Sequence, residues 1–89
     1  MPYRLFFKRS VKKDLKRLGR EAAHRILQAV REKLLPDPRV GKQLKGKDGA
    51  LWSFRVGEYR VIYTFSDCDL IVLVIRVGHR PEIYRKTGG

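Results

Sequence analysis

Apolar positions along the 89-residue chain follow two different periods, and the change from one to the other divides it into elements. Tyr3 to Phe7 (YRLFF) is short, aromatic and hydrophobic, which predicts an opening strand. Ser10 then offers a helix N-cap, and Val11, Leu15 and Leu18 recur at a spacing that puts them on one narrow helical face, with Lys12, Lys13, Lys16 and Arg17 on the opposite arc. Gly19 is placed to end this helix, and Glu21 suits the positive end of a second. In the second helix Ala22, Ala23, Ile26, Leu27, Ala29, Val30 and Leu34 form a broad apolar arc, and Pro36 and Pro38 stop it. The expected product is a helical hairpin, apolar inside and basic outside.

After the prolines the period changes. VGKQLKGKDGA, Val40 to Ala50, has none and reads as a loop anchored by Leu44. Leu51 to Val56 alternates, with Trp52, Phe54 and Val56 on one face and Ser53 and Arg55 on the other. Gly57-Glu58 is a two-residue turn with Gly first, as a type II′ hairpin requires, and Tyr59 to Ser66 returns antiparallel. A second tight turn near Asp67-Cys68 leads into Leu70 to Val77, a run apolar on both faces. That pattern predicts a central strand covered on both sides and ended by Gly78, with the N-terminal strand as its remaining neighbour. The order β-α-α-β-β-β gives an α+β fold, two helices on one face of a four-stranded sheet. The length leaves room for one domain, expected over residues 1–85, with 86–89 as a frayed end.

No stretch approaches the roughly 20 apolar residues of a membrane span, and MPYRLFFKRS lacks the features of a secretory signal, so a cytoplasmic domain is expected, with no membrane partner. Cys68 is the single cysteine, and His24 and His79 are too few to complete a structural zinc site; no metal and no cofactor are expected. Charge changes the picture most. Against 9 Asp and Glu stand 21 Lys and Arg, a formal net charge of +12. Residues 1–47 hold 15 basic and 4 acidic side chains, residues 48–89 only 6 and 5. A polyanion or an acidic protein relieves such self-repulsion. Lys12, Lys13, Lys16, Arg17, Lys42, Lys45 and Lys47 are therefore the candidate nucleic-acid contacts, with a solvated face or a docking surface for an acidic partner as the other readings.

Hairpin register singles out two of the few basic residues in the second half. If Gly57-Glu58 is a two-residue loop, Arg55 lies opposite Arg60 on one face of the sheet. Like charges so paired either splay into solvent or hold an anion between them, and planar guanidinium groups suit phosphate. His79, Arg80 and Tyr84 follow the last strand. Phosphodiester cleavage needs cations for the charge on the phosphoryl oxygens and groups that exchange protons. Arginine fills the first role, and His79 and Tyr84 are the side chains able to fill the second, His79 being alternatively a plain loop residue. RNA brings its own nucleophile, the 2′-hydroxyl, so this chemistry calls for no metal. His24 reads as a surface residue, Cys68 as incidental, and Trp52, Tyr59 and Tyr63 as core.

From Leu44 to Arg85 the sequence resembles the RelE branch of the RelE/ParE toxin superfamily, through "LKG", "GEYRVIY" and "VIRVGHRPEIYR" in that order and spacing. The resemblance implies a toxin that enters the ribosomal A site and cuts the mRNA there without metal. It also implies a RelB-type antitoxin that neutralises it, and operator DNA as a partner only through the antitoxin complex. By position it gives Arg55, Arg60 and Arg80 the part of the basic active-site residues, and Tyr84 that of the C-terminal tyrosine that orients or activates the nucleophile. Ser53 stands where ribosome-dependent members have a second lysine, so His79, Lys45 or Lys47 become candidates to share the base's work. The alternatives are a ParE-like inhibitor of DNA gyrase that cuts no RNA, and a non-catalytic basic corepressor.

Overall fold

The computed structural model describes residues 3–45 and 50–79. Strand β1 (Arg4–Phe7) leads into helices α1 (Arg9–Leu18) and α2 (Arg20–Ala29), and α2 continues through a π-helical turn at Val30–Leu34. A 3-10 turn (Pro38–Val40) follows, then strands β2 (Lys42–Gln43), β3 (Trp52–Val56), β4 (Tyr59–Ser66) and β5 (Ile71–His79). The sheet has the order β1-β5-β4-β3-β2, with β1 parallel to β5 and the other neighbours antiparallel. The expected α+β architecture holds, with one strand more. The segment read as a loop from Val40 contains β2, whose two residues pair with Ser53 and Trp52. Two residues are too few to carry a detectable alternation.

The helical hairpin closes at Gly19, whose φ of 99° and ψ of 164° belong to a region that side chains with a Cβ avoid. α1 does not begin at Ser10. Lys8 occupies the N-cap without a side-chain hydrogen bond, and the Ser10 hydroxyl instead donates to the Ile75 carbonyl at 3.5 Å. The physical reason lies in β5. β1 pairs with it only as far as Val74, where the Lys8 amide bonds the Val74 carbonyl, so beyond that point β5 has no strand neighbour on that edge among the described residues. Side chains of α1 stand in for the missing strand: Ser10 serves Ile75, and the Asp14 carboxylate accepts from the Val77 amide at 3.1 Å. A buried backbone amide without a partner costs about 1–3 kcal/mol, which explains a carboxylate only 2% exposed. β5 also runs through Gly78 to His79 instead of stopping before it, because Gly78 stays in register with Arg60. The turn before β5 covers 67–70, so Leu70, at φ 56°, belongs to the turn and the strand opens at Ile71.

Val11, Ile26, Val30 and Leu34 from the helical layer pack on Phe54, Val56, Val61, Tyr63, Val72, Val74 and Val77 from one face of the sheet. Each such aliphatic side chain contributes on the order of 1.5–3 kcal/mol relative to exposure. Trp52 and Tyr59 pack against this cluster, as their alternation requires, and His24 and Cys68 are exposed. The Tyr63 hydroxyl donates to the Pro38 carbonyl, and burial pushes its pKa up to about 12. Gly41 passes over this contact. A Cβ there would lie 2.6 Å from the Ser53 carbonyl oxygen and closer still to the Tyr63 hydroxyl, so only glycine lets the chain cross into β2. Among the described residues no helix is long and apolar enough to cross a membrane.

Candidate active site on the open sheet face

Gly57 has φ 59° while Glu58 has no positive φ, the signature of a type II′ turn, and the register that follows pairs Arg55 with Arg60. β4 then pairs Arg60 with Gly78 on β5, so a single rung reads Arg55, Arg60, Gly78 across three strands. The next rung on the same face reads Lys42, Ser53, Ile62, Arg76 across four. These residues alternate with the core positions Phe54, Val61 and Val77, so they face away from the helices. Four cations therefore share one sheet face, around a floor made by Ser53, Ile62 and Gly78. Ile62 and Ser53 are buried, which lowers the local dielectric beneath the charges and strengthens their pull on an anion.

Each cation is held differently. The Arg55 Nε donates to the Gly57 carbonyl at 3.2 Å, folding the side chain back over its own hairpin. Arg60 is half-buried. Arg76, which stands inside an apolar run of the sequence, reaches around the edge of β5 to Asp14 at 3.3 Å, while its buried Nε has no partner. Arg76 falls opposite Ile62 only because of the irregularity between Ile62 and Tyr63. That irregularity leaves Ile75 without a partner on β4 and switches the parity of β5, which alternation alone does not reveal. Lys42 joins the face only because β2 exists. Ser53 Oγ is buried without a hydrogen-bond partner.

Other expected site residues lie elsewhere. His79 pairs with Tyr59, and its ring centroid is 5.0 Å from that of Tyr59, so its side chain lies on the helix-facing side and not beside Arg55 and Arg60. Lys12, Lys13, Lys16 and Arg17 are exposed on α1, on the helical side of the molecule. Lys12, Lys13 and Lys16 line, with Arg9 and Arg20, a groove of about 670 Å³ between the two helices, floored by Leu15 and Ala23. Lys45 is exposed just after β2. Lys47, Arg80 and Tyr84 fall outside the described residues. Among the described residues no three His, Cys, Asp or Glu side chains group closely enough to hold a metal ion.

At the far end of the sheet a second polar cluster has its charge balanced internally. Asp67 accepts from both Tyr3 and Arg39, and the Arg39 guanidinium lies 5.1 Å from the Phe65 ring centroid. The hydrogen bond from Arg39, then that from Tyr3, holds the Asp67 carboxyl below the usual carboxylate range. This cluster ties the N-terminus and the 3-10 turn to the β4–β5 turn.

The family profile described as the ParE toxin of the type II toxin–antitoxin system, parDE, matches residues 5–84. The chain belongs to this family of the RelE/ParE superfamily. Toxin RelG of Mycobacterium tuberculosis is 33% identical over 87 residues, covering 97% of this chain and all of that one. The crystal structure of the toxin–antitoxin complex RelBE2 from the same organism superposes with a TM-score of 0.81 at 31% identity, covering 90% of this chain and 100% of the matched one. An E. coli RelE variant in complex with an antitoxin RelBc peptide gives 0.75 at 27%, covering 98% and 95%. The protein is thus the toxin half of a type II system, and its structural neighbours include complexes with RelB-type antitoxins.

Proposed function

We propose that this toxin is a ribosome-dependent endoribonuclease that cuts mRNA in the A site, and that the open sheet face carries the reaction. The observation that supports the reading is the rung Arg55, Arg60, Gly78, where two arginines stand side by side with a position without a side chain next to Arg60, and Lys42 and Arg76 lie one rung away. The 2′-hydroxyl of one nucleotide attacks the adjacent phosphorus, the bond to the 5′-oxygen breaks, and the products are a 2′,3′-cyclic phosphate and a 5′-hydroxyl. One proton leaves the 2′-oxygen and one arrives on the 5′-oxygen. Arg55 and Arg60 stabilise the charge that builds on the non-bridging oxygens, a contribution worth about 10²–10³ in rate per donor. Arg80 and Tyr84 are assigned by the family resemblance, Arg80 as a third guanidinium and Tyr84 as the group at the nucleophile. His79, with its ring on Tyr59, is positioned to hold the end of β5 immediately before Arg80.

A RelB-type antitoxin is the proposed neutralising partner, with the basic helical groove as the surface of matching charge, and operator DNA is reached through that complex. The proposed compartment is the cytoplasm. A second reading, gyrase inhibition without RNA cleavage, draws on the ParE description of the family profile. Both are tested by adding the purified protein to a reconstituted translation reaction and mapping mRNA 5′ ends by primer extension, beside the same mRNA without ribosomes. Cuts confined to ribosome-occupied codons are expected. Absence of cuts in both lanes, together with inhibition of gyrase supercoiling, would replace this reading with the second.

A further inference from the structure

We propose that the open sheet face continues the cleavage site as a track for single-stranded RNA, with the Phe6 ring as a base-stacking position and the Arg4 guanidinium as a phosphate contact beside it. The proposal rests on the reading of this face as an RNA-cleaving site and extends it to the opposite edge of the sheet. Parallel pairing puts Phe6 beside Leu73 and Arg4 beside Ile71, and Leu73 pairs in turn with Thr64. Phe6, Leu73 and Thr64 therefore form a rung on the same face as Arg60, four residues further along β4. With strands about 4.8 Å apart and about 3.3 Å per residue, Phe6 lies roughly 16 Å from Arg60, a distance a short single strand crosses.

Three observations favour a nucleic acid there. Phe6 is 44% exposed, high for an aromatic ring in a strand, and the Arg4 guanidinium lies 5.7 Å from its centroid, so a flat apolar surface and a cation are presented together. That is the pairing through which proteins hold unpaired bases and their backbone. Phe7, its neighbour and itself 40% exposed, points to the helical side and lines a cleft with Val11 and Leu27, whereas among the described residues the helices lie on the face opposite to Phe6. Finally, none of the described strand residues on this face is acidic, while Arg4, Lys42, Arg55, Arg60 and Arg76 all lie on it. A polyanion with ring faces matches this better than an apolar protein segment does.

The test uses the full chain and RNA carrying 2′-O-methyl groups, which binds but is not cut. Fluorescence anisotropy compares a dinucleotide with an octanucleotide on wild type, Phe6→Ala, Phe6→Trp and Arg4→Gln. Phe6→Ala is expected to weaken the octanucleotide about tenfold, as loss of one stacked base does, and to leave the dinucleotide unchanged. Phe6→Trp should retain the affinity, and Arg4→Gln should flatten its salt dependence. In cleavage on programmed ribosomes Phe6→Ala should raise KM and leave kcat alone. Equal octanucleotide affinity for Phe6→Ala and wild type overturns the track, as does a Phe6→Ala defect confined to antitoxin binding, which would make this a protein surface. If wild type fails to cut mRNA, the cleavage reading falls, and the anisotropy arm still decides whether the face binds RNA.

Discussion

The two faces of the sheet are made from the same strands by alternate residues, yet they obey different rules. On the helix-facing side Val61, Tyr63, Val72, Val74 and Val77 are buried against Val11, Ile26, Val30 and Leu34, and the carboxylate admitted at the margin, Asp14, is matched by the Val77 amide and Arg76. On the open side Lys42, Arg55, Arg60 and Arg76 gather around a small floor of Ser53, Ile62 and Gly78. Cohesion explains the first face. It does not explain the second, where like charges directly opposite in a ladder are unfavourable by a few tenths of a kcal/mol or more. Such charges either splay into solvent or hold a ligand of opposite charge, and the proposed RNA substrate is such a ligand.

The contrast can be broken first at Asp14, which serves both faces by accepting from the Val77 amide and from Arg76. Asp14→Ala leaves the Val77 amide and the Arg76 guanidinium without their acceptor at a buried site, and is expected to cost about 3–5 kcal/mol in urea unfolding. Asp14→Asn, which keeps an acceptor for the amide, should cost less. Next comes the crossing at Gly41. Gly41→Ala forces a methyl onto the Ser53 carbonyl and the Tyr63 hydroxyl and should cost about 1–3 kcal/mol, lifting β2 and with it Lys42.

How much of this was legible in the sequence follows from which interactions are local. The helical hairpin, its glycine hinge and the Arg55–Arg60 register depend on spacing and turn chemistry within a few residues, and they could be read directly. β2, the shift in β5 and the role of Asp14 depend on what lies beside them in space. Asp14 sits among lysines and arginines on a helix and reads as one more solvated charge; only the early end of β1 makes it the acceptor for a distant strand. Arg76 was hidden for the related reason that its face changes with the irregularity next to Ile62. His79 was read as the neighbour of Arg80 in sequence, whereas the strand's alternation turns it toward Tyr59.

Smaller effects sharpen the comparison. Tyr63→Phe removes the bond to the Pro38 carbonyl and should cost about 1 kcal/mol near neutral pH. Because the folded Tyr63 pKa is raised to about 12, above the ordinary 10, the hydroxyl's contribution is fully present below pH 10 and is lost as pH rises through about 12. A pH series of unfolding midpoints should show this alkaline loss in wild type and less of it in Tyr63→Phe. At the far end, the depressed Asp67 pKa means the tie to Tyr3 and Arg39 is present above the ordinary carboxylate value of about 4 and is lost as pH falls through the folded value. Hydrogen exchange at the Arg4 amide, bonded to the Leu70 carbonyl nearby, should stay slow from neutral pH to about pH 5 after correction for intrinsic rates and quicken in stronger acid. Smallest is Ser53→Ala, which removes a buried hydroxyl that has no partner and should leave stability within about 1 kcal/mol of wild type or raise it.

The most direct test of the cationic face as the reactive one is single-turnover mRNA cleavage on programmed ribosomes by Arg60→Ala, with Lys13→Ala on the helical side as the control and circular dichroism to verify folding. The expected result is a fall of about 10²-fold or more for Arg60→Ala at unchanged unfolding midpoint, and a rate within a few-fold of wild type for Lys13→Ala. Near-normal cleavage by a folded Arg60→Ala would contradict the account.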